Sequence, residues 1–349
     1  MTSVSGSRTN AIYKIGGTFG TAVSGGAGNK LRSEITPNFN VDVLKPRQIG
    51  TGNLIALSAT RGNLKPTLQL AMDAGYRNCM DFILAQFFGT ASAPAEQTAS
   101  QGDYKHTLTL NPTLNAKWGT LAYDTSNATL HEYPSTACQS ITISLDDAPG
   151  ILNFEAELLA NNIVLTGAVN TNASMASATI TDTETINYAF DDTFRINNNT
   201  GGALSGSDQY NITGFSFNFQ RPQSIKGEIK GSAGNGAPVE EGIILGTLTV
   251  NVKELADHAM FTDWSAETPK KCSLNIQGTQ IGSGVNKAIT INIPKMQLVQ
   301  EPKYALTSEG VNPLTLTFEI LGATANPTGM TSFYPYIEII NNYGTNLLT

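Results

Sequence analysis

The stretch CMDFILAQFFGT, from Cys79 to Thr90, stands out because its apolar residues repeat with a helical period. These residues fall at positions i, i+3, i+4, i+7 and i+8 and are Met80, Ile83, Leu84, Phe87 and Phe88. Such spacing places them on one face of a helix, and Gly89 follows as a C-cap. The sequence therefore predicts one short helix here, with Ile83, Leu84, Phe87 and Phe88 buried against a sheet.

Apolar and polar residues alternate through most of the remaining chain, which is the pattern of half-buried strands. The alternating runs before residue 196 are TLQLAM (67–72), HTLTLNP (106–112), WGTLAYD (118–124), SITISLDD (140–147), ILNFEAELL (151–159) and NNIVLTG (161–167). A polar stretch at 196–209 is predicted as a long loop or linker. The runs after it are GFSFNFQRP (214–222), ILGTLTVNV (244–252), KCSLNIQG (271–278), AITINIP (288–294) and LTLTFEILG (314–322). The fold is predicted to be mainly β.

The strand and helix of the first half recur in the second half with an offset of 180 residues. TLQLAM aligns with TLTVNV, so that Thr67 matches Thr247. A second candidate helix, 253–268, follows and is stopped by Pro269. The repeated order of strand, helix and three strands predicts two similar β-sandwich or barrel domains, each with one short α-helix. One irregular sandwich with two unrelated helices is the alternative.

Domain boundaries follow from the stretches of low periodicity. Residues 1–35 are rich in Gly, Ser and Thr and are predicted to form an N-terminal arm. The first domain is placed at 36–199 and begins with a long loop at 36–63. The second domain is placed at 200–349 and carries a C-terminal extension from about residue 323.

The composition is poor in charge and the net charge is acidic. Charged residues make up 14% of the chain, against roughly 25% in typical soluble domains. A surface covered by copies of the same chain would explain this, because charge is depleted from interface cores; a secreted β-sandwich would look similar. The net charge is −7 and no window is rich in Lys and Arg, which argues against a sequence-specific nucleic-acid binder.

Cysteine usage and hydropathy indicate a protein of a reducing compartment without a membrane span. Cys79, Cys138 and Cys272 lie far apart and form no CxxC pair, so buried free thiols are expected rather than disulfides or a zinc site. The first residues contain no apolar signal region, and no apolar run reaches 18 residues. Neither secretion nor membrane contact is expected.

Residues that could carry chemistry are few and poorly spaced. His106, His131 and His258 form no metal-binding pair. Adjacent carboxylates occur as Asp146-Asp147, Asp191-Asp192 and Glu240-Glu241 at turn positions. Neighbouring residues on a strand point to opposite faces, which makes such pairs poor catalytic partners. No catalytic, metal or cofactor site is expected, and the chain is not predicted to be an enzyme.

Four segments resemble the major tail tube proteins of long-tailed bacteriophages, in particular the subfamily with two tube domains per chain. Together they extend over roughly residues 11–322. They are GGTFGTAV (Gly16–Val23), the strand and helix from Leu64 to Thr90, the strands from Tyr104 to Ala160, and the hairpin from Ser273 to Pro302. The resemblance implies two tail-tube-type domains and a structural role. It carries no motif of the catalytic kind.

What the resemblance implies is a virion protein that assembles with itself in the host cytoplasm. Its copies would form rings that stack into the tail tube, with other tail proteins at the tube ends. Two tube domains per chain would let three chains supply the six units of a hexameric ring. DNA would pass through the channel without specific binding, since cations that neutralise phosphates would retain it. The turn acids Asp146, Asp147, Asp191 and Asp192 are the candidate channel-lining residues.

Two other classes of function remain open from the sequence. A receptor-binding or carbohydrate-binding β-sandwich should cluster aromatic residues on an exposed face, but Trp118 and Trp264 lie beside different repeat elements. The aromatic segment 332–344 could form a binding edge or a contact between rings. A glycan hydrolase on a β scaffold is the least favoured class, since no spaced catalytic set is visible.

Overall fold

Strands dominate the computed structural model, which describes residues 10–44, 60–113, 116–124, 129–166, 168–188, 192–225, 236–252, 259–302 and 314–349. The mainly β fold is thereby confirmed. The strands are β1 (Ala11–Gly16), β2 (Glu34–Asn38), β3 (Val41–Leu44), β4 (Thr60–Leu64), β5 (Thr67–Asp73), β6 (Gly89–Ala91), β7 (Ala95–Glu96), β8 (Tyr104–Leu110), β9 (Trp118–Asp124), β10 (Leu130–Leu145), β11 (Gly150–Ile151), β12 (Asn153–Ala160), β13 (Asn187–Tyr188), β14 (Thr193–Asn198), β15 (Gln209–Tyr210), β16 (Ile212–Gln220), β17 (Gln223–Ser224), β18 (Val239–Glu240), β19 (Leu245–Val252), β20 (Lys270–Gly282), β21 (Val285–Leu298), β22 (Leu314–Ile320) and β23 (Tyr336–Asn341). The helices are α1 (Met80–Phe88), α2 (Asn172–Ser177) and α3 (Ala259–Ser265), with a 3₁₀ turn at Gly206–Asp208.

One antiparallel sheet of eight strands runs through both halves of the chain. Its order is β2-β5-β12-β10-β16-β19-β22-β21. Along most of these strands, more buried and more exposed residues alternate, as the sequence pattern requires. One face of this sheet therefore packs on the core while the other is polar.

The long strands β10 and β21 leave this sheet to form a second layer. The first part of β10 pairs with β9, which pairs with β1. In the same way β21 pairs with β20, and β20 pairs with β14. Strand β23 lies between β21 and β8, and β6 and β7 pair with β8. The main hydrophobic core, between the two layers, contains side chains from both halves.

The same order of six strands occurs twice. The first copy is β1-β9-β10-β12-β5-β2 and the second is β14-β20-β21-β22-β19-β16. The register agrees with the 180-residue offset: Thr67 lies opposite Asn38, and Thr247 lies opposite Asn218. Each copy has its helix after the equivalent strand, α1 after β5 and α3 after β19.

Strand pairs cross the predicted domain boundary between residues 199 and 200. Strand β10 pairs with β16, β8 pairs with β23, and β14 pairs with β20. The two strand copies therefore share sheets and a core, and the division into two domains with those boundaries stays a prediction.

Helix α1 is enclosed on all sides, which its amphipathic pattern did not predict. All nine residues from Met80 to Phe88 are buried, and Gly89 ends the helix with a φ of 80°. The polar residues of the helix are compensated internally. Gln86 donates to Thr136 O at 2.7 Å and accepts from the Tyr13 hydroxyl at 2.6 Å, and Asp81 forms an ion pair with Arg77 at 2.6 Å.

Three local predictions need correction. The described part of the second helix spans Ala259–Ser265 and ends three residues before the predicted end, while 253–258 lie outside the described residues. Helix α2 was not predicted; Thr171 and Ser174 form its capping box. The predicted strand at 161–167 is wrong, because Val164 makes only a single bridge with Glu132.

Segments of irregular sequence contain strands that their composition concealed. Strand β1 lies within the predicted arm 1–35 and pairs along its whole length with β9, burying Ile12, Tyr13 and Ile15. The predicted linker 196–209 contains the end of β14 and the start of β15, and the extension from 323 contains β23. In the predicted loop 36–63, β3 pairs with β4, and 45–59 lie outside the described residues.

Candidate functional site

The outward face of the eight-stranded sheet is a continuous surface of mostly polar side chains. Strand registers align its side chains in rows across the sheet. One row contains Glu34, Ala71, Glu155, Thr142, Asn218, Thr247 and Glu319. We call this surface the polar face.

Acidic residues are the dominant charges of the polar face. They are Glu34, Asp73, Glu155, Glu157 and Glu319. The sequences of β2, β5, β10, β12, β16, β19 and β22 contain no Lys or Arg. Lysines occur only in β21, where Lys287 is buried and Lys295 is half-buried. The face is thus acidic from β2 to β22.

A shallow depression of about 260 Å³ lies on this face over β2, β5, β12 and β10. Its charged lining residues are Glu34, Glu155 and Glu157, and its other side chains are small or uncharged, such as Thr36 and Thr142. An acidic depression that is open to solvent repels phosphate groups. It offers no cation for an anionic ligand.

The described turn acids that the sequence singled out occupy two separate positions outside the strands of the polar face. Asp146 and Asp147 are exposed in the bend after β10. Asp192 is 6% exposed, and its Oδ1 accepts a hydrogen bond of 2.7 Å from Gln277 N. Asp191 lies outside the described residues. Their assignment to a channel stays a prediction.

The four helix residues of the sequence analysis belong to the core beneath the joint between the two strand copies. Ile83, Leu84, Phe87 and Phe88 are each no more than 1% exposed. The rings of Phe87 and Phe88 lie 6.1 and 6.0 Å from that of Phe219 on β16.

Strands β10 and β16 form the joint between the two strand copies within the sheet. Their register runs from Ser140 opposite Gln220 to Leu145 opposite Phe215. On the core side, Phe215, Phe217 and Phe219 are buried. On the polar face, Asn218 Nδ2 donates a hydrogen bond of 2.8 Å to Thr142 Oγ1. The joint is therefore packed on its core side and hydrogen-bonded on its polar side.

The described residues contain no group of three or more His, Cys, Asp or Glu that could hold a metal ion. The three cysteines are free and buried, as predicted, and burial raises the pKa of each thiol, which leaves them unreactive. His106 is buried and its Nε2 lies 2.7 Å from Tyr343 O. Across the described part of the chain, no helix is long and apolar enough to cross a membrane.

Buried charges form ion pairs that hold loops in place. Lys287 Nζ lies 2.6 Å from both Asp182 Oδ2 and Glu184 Oε2. Burial would lower the pKa of Lys287, but hydrogen bonds from its ammonium to these two carboxylates raise it above its ordinary value. Arg221 is 2% exposed and pairs with Glu240 at 2.6 Å. These charged groups are engaged in structural ion pairs and offer no reactive site.

Sequence reasoning missed the acids of the polar face and chose turn acids instead. The available signal was the alternation itself: Glu155 and Glu157 occupy the polar positions of ILNFEAELL, and Glu319 that of LTLTFEILG. Adjacent turn acids drew attention because they are paired in sequence. Alternate strand acids become neighbours only through the register of the sheet.

Comparison with known proteins gives one family. A family model described as phage tail tube protein matches residues 6–320. The matched range includes α1, all eight strands of the polar face and the joint between β10 and β16, and it ends with β22. A search of curated proteins finds no match.

Proposed function

Because the chain belongs to the phage tail tube protein family, we propose that its copies close into rings and that the rings stack into a tube that conducts DNA. Family membership makes the chain a structural component of the virion tail, in a family that is not typically enzymatic. The proposal adds what the polar face does, how many chains form a ring and which segments connect rings.

The polar face is proposed to line the channel, and this one surface carries the proposal. A DNA conduit must not hold phosphate: 6 to 10 neutralised phosphates change affinity by about 10³–10⁵ between 50 and 200 mM salt. A sheet with acids on β2, β5, β12 and β22, and without Lys or Arg on seven of its eight strands, meets that requirement. The turn acids Asp146, Asp147, Asp191 and Asp192 remain a second, less central set of candidates.

Three chains per ring is the proposed stoichiometry. The strand order occurs twice in each chain, so three chains supply six equivalent units and close with cyclic symmetry. Stacking is assigned to the segment 36–63 and to the terminal segments 1–35 and 323–349.

Negative-stain electron microscopy and native mass spectrometry of the purified chain test the proposal. Rings or tubes with three chains per ring are expected. Isolated monomers at every concentration would contradict ring formation, and six chains per ring would overturn the stoichiometry while leaving the tube.

A loop variant separates stacking from folding. Replacing 45–59 by a short Gly-Ser linker keeps β3 and β4 and should give soluble rings that do not stack. Deletion of residues 1–9, which keeps β1 and the rest of the N-terminal segment, is the control and should leave tubes intact. Tubes of normal length from the linker variant would remove this segment from the stacking contact.

A further inference from the structure

We propose that the joint between β10 and β16 inside the chain is repeated between chains, where β2 of one copy pairs with residues 299–302 of a second copy. The inference rests on the proposed ring and names the strand edges that close it. Its starting point is the repeated strand order, in which β2 corresponds to β16 and β21 corresponds to β10.

The register fixes the correspondence of β2 with β16 residue by residue. Thr36 lies opposite Gln69, and Ser216 lies opposite Thr249. Asn38 lies opposite Thr67, and Asn218 lies opposite Thr247. Through one edge β2 pairs with β5, and β16 pairs with the equivalent strand β19. At the other edge β16 pairs with β10, whereas within the described residues β2 pairs with β5 alone.

Phe39 identifies the second edge of β2 as a joining surface. It follows Asn38 as Phe219 follows Asn218. Phe219 is 1% exposed inside the joint, whereas Phe39 is 39% exposed. A partner strand placed as β10 is placed on β16 would cover Phe39, and burial of its ring favours the contact.

The matching edge lies at the end of β21. On β10, Thr136 is paired with Gly119 of β9 on one side and with Ala160 of β12 on the other. On β21, Met296 is paired in the same way with Lys270 of β20 and Ile320 of β22. Beyond these positions β10 takes β16 as its neighbour from Ser140 onward. The pairing of β21 with β20 likewise ends at Met296.

Residue 299 is the counterpart of Ser140. Leu298 lies opposite Phe318 as Cys138 lies opposite Leu158. A bulge at residue 139 shifts β10 by one position, so that Ser140 lies opposite Glu157, the residue before Leu158. In the second strand copy, Thr317 precedes Phe318 in the same way, and Val299 N donates to Thr317 O at 3.0 Å. Val299 therefore occupies the position of Ser140. Val299 is 48% exposed.

If the register of β10 with β16 is applied to the contact between two copies, it defines which residues lie opposite each other. Gln220 and Asn218 lie opposite Ser140 and Thr142 within the chain. Between chains, Asn40 would lie opposite Val299, and Asn38 opposite Glu301. Pro37 would lie opposite Pro302; neither residue has an N–H, so this position would contribute no backbone hydrogen bond to the contact.

Disulfide trapping tests the register. The double variant Asn38→Cys with Glu301→Cys should form a disulfide between copies, since Thr142 and Asn218 at the equivalent pair touch through their side chains. Assembled and oxidised protein should shift from the monomer band to dimer and trimer bands on a non-reducing gel, and a reductant should reverse the shift. The native cysteines are buried and do not interfere.

Two controls define the outcome. Asn38→Cys with Val299→Cys is out of register by two residues and should give far less cross-linking. Thr142→Cys with Asn218→Cys should close within one chain and leave the mass unchanged. Equal cross-linking of both intermolecular pairs would overturn the register. Normal tubes without cross-links from the Asn38 and Glu301 pair would overturn the joint but keep the proposed function.

A backbone variant gives an independent test that needs no cysteine. Arg221 N donates to Gln139 O across the internal joint, so Phe219, two residues earlier, also directs its N–H to β10. Phe39→Pro removes the equivalent N–H, while Phe39→Leu keeps it. Loss of rings in the proline variant alone supports the joint; equal assembly of both variants contradicts it. Absence of rings in wild-type protein would instead refute the proposed function.

Discussion

The side-chain amide of Asn218 on β16 donates a hydrogen bond of 2.8 Å to the hydroxyl of Thr142 on β10. These residues lie 76 positions apart in the chain, and their contact lies where the two strand copies meet. Aromatic rings lie on the opposite side of the same strand pair: Phe217 and Phe219 are 4.6 Å apart in a T-shaped arrangement. The joint therefore combines a polar surface with a packed core, as an interior strand pair does.

Truncation of Phe87 should strongly destabilise this joint. The Phe87 side chain is 1% exposed, and its ring packs on Phe88 and Phe219. Phe87→Ala should lower the free energy of unfolding by about 3–5 kcal/mol, because a buried ring is lost and a cavity remains. Chemical denaturation measures this. Phe261 on α3 is 45% exposed, and Phe261→Ala should cost far less; equal losses would contradict the assignment.

Loss of the ion pair between Arg77, just before α1, and Asp81 in its first turn should lower the free energy of unfolding more than loss of a surface ion pair. Arg77 and Asp81 are 2% and 0% exposed, and the guanidinium lies 3.7 Å from the centre of the Tyr343 ring. Asp81→Asn leaves a buried cation uncompensated, which should cost about 3–5 kcal/mol. Unfolding in urea, followed by fluorescence, measures the loss.

The matched control for that prediction is the pair of Lys105 and Glu338, whose side chains are 35% and 23% exposed. Glu338→Gln should change stability by about 0–1 kcal/mol, since solvent already screens the charges. A loss in Glu338→Gln as large as that in Asp81→Asn would show that burial does not set the strength of these pairs.

Much of the strand pattern could be predicted from the sequence, because apolar and polar residues alternate with the period of two at which side chains alternate between the faces of a strand. WGTLAYD corresponds to β9 without a shift, and the offset of Thr67 and Thr247 reappears in the sheet, where they lie opposite Asn38 and Asn218. Strand β1 was missed because Gly and Ser surround it, and only its pairing with β9 buries Ile12 and Ile15. Local composition does not contain that information.

The polar face and the joint required knowledge of which strands are neighbours. Glu34 and Glu155 are separated by more than a hundred residues and lie on strands that flank β5. The sequence shows each as one polar position among many. Likewise Phe215, Phe217 and Phe219 predict a buried face but not that β10 covers the adjacent edge.

Acid should weaken the protein through His106. Burial lowers the pKa of this imidazole in the folded state, whereas the unfolded value is about 6.5. Below about pH 6.5 the imidazole binds a proton in the unfolded chain but not in the folded chain. The free energy of unfolding therefore decreases as the pH is lowered, until the pH reaches the pKa of His106 in the folded state. The contribution is fully present above the unfolded pKa.

His106→Gln should reduce this dependence, since an amide can still donate to Tyr343 O but does not titrate. Free energies of unfolding at about pH 8 and about pH 5.5 give the comparison, and the drop should be smaller in the variant. His131 also has its pKa lowered by burial and remains in both proteins, so their difference isolates His106. An unchanged drop would assign the acid sensitivity to other groups.

The two candidate sets of channel acids make opposite predictions for DNA. Glu155→Lys with Glu157→Lys adds cations to the polar face, while Asp146→Lys with Asp147→Lys makes the same charge change in the exposed bend after β10. In a ring of three chains, each double variant contributes six new cations.

If the polar face lines the channel, tubes of the Glu155 and Glu157 variant should retain duplex DNA, and retention should weaken by about 10³ between 50 and 200 mM salt, as expected for six phosphate contacts. Wild-type tubes should show no measurable retention at physiological salt, because the face repels phosphate. Tubes of the Asp146 and Asp147 variant should behave as wild type. Co-sedimentation of labelled DNA with tubes measures all three, and variants with Gln in place of Lys separate loss of the carboxylates from gain of cations. Retention by the Asp146 and Asp147 variant alone would place the bend in the channel and move the polar face to another surface of the tube.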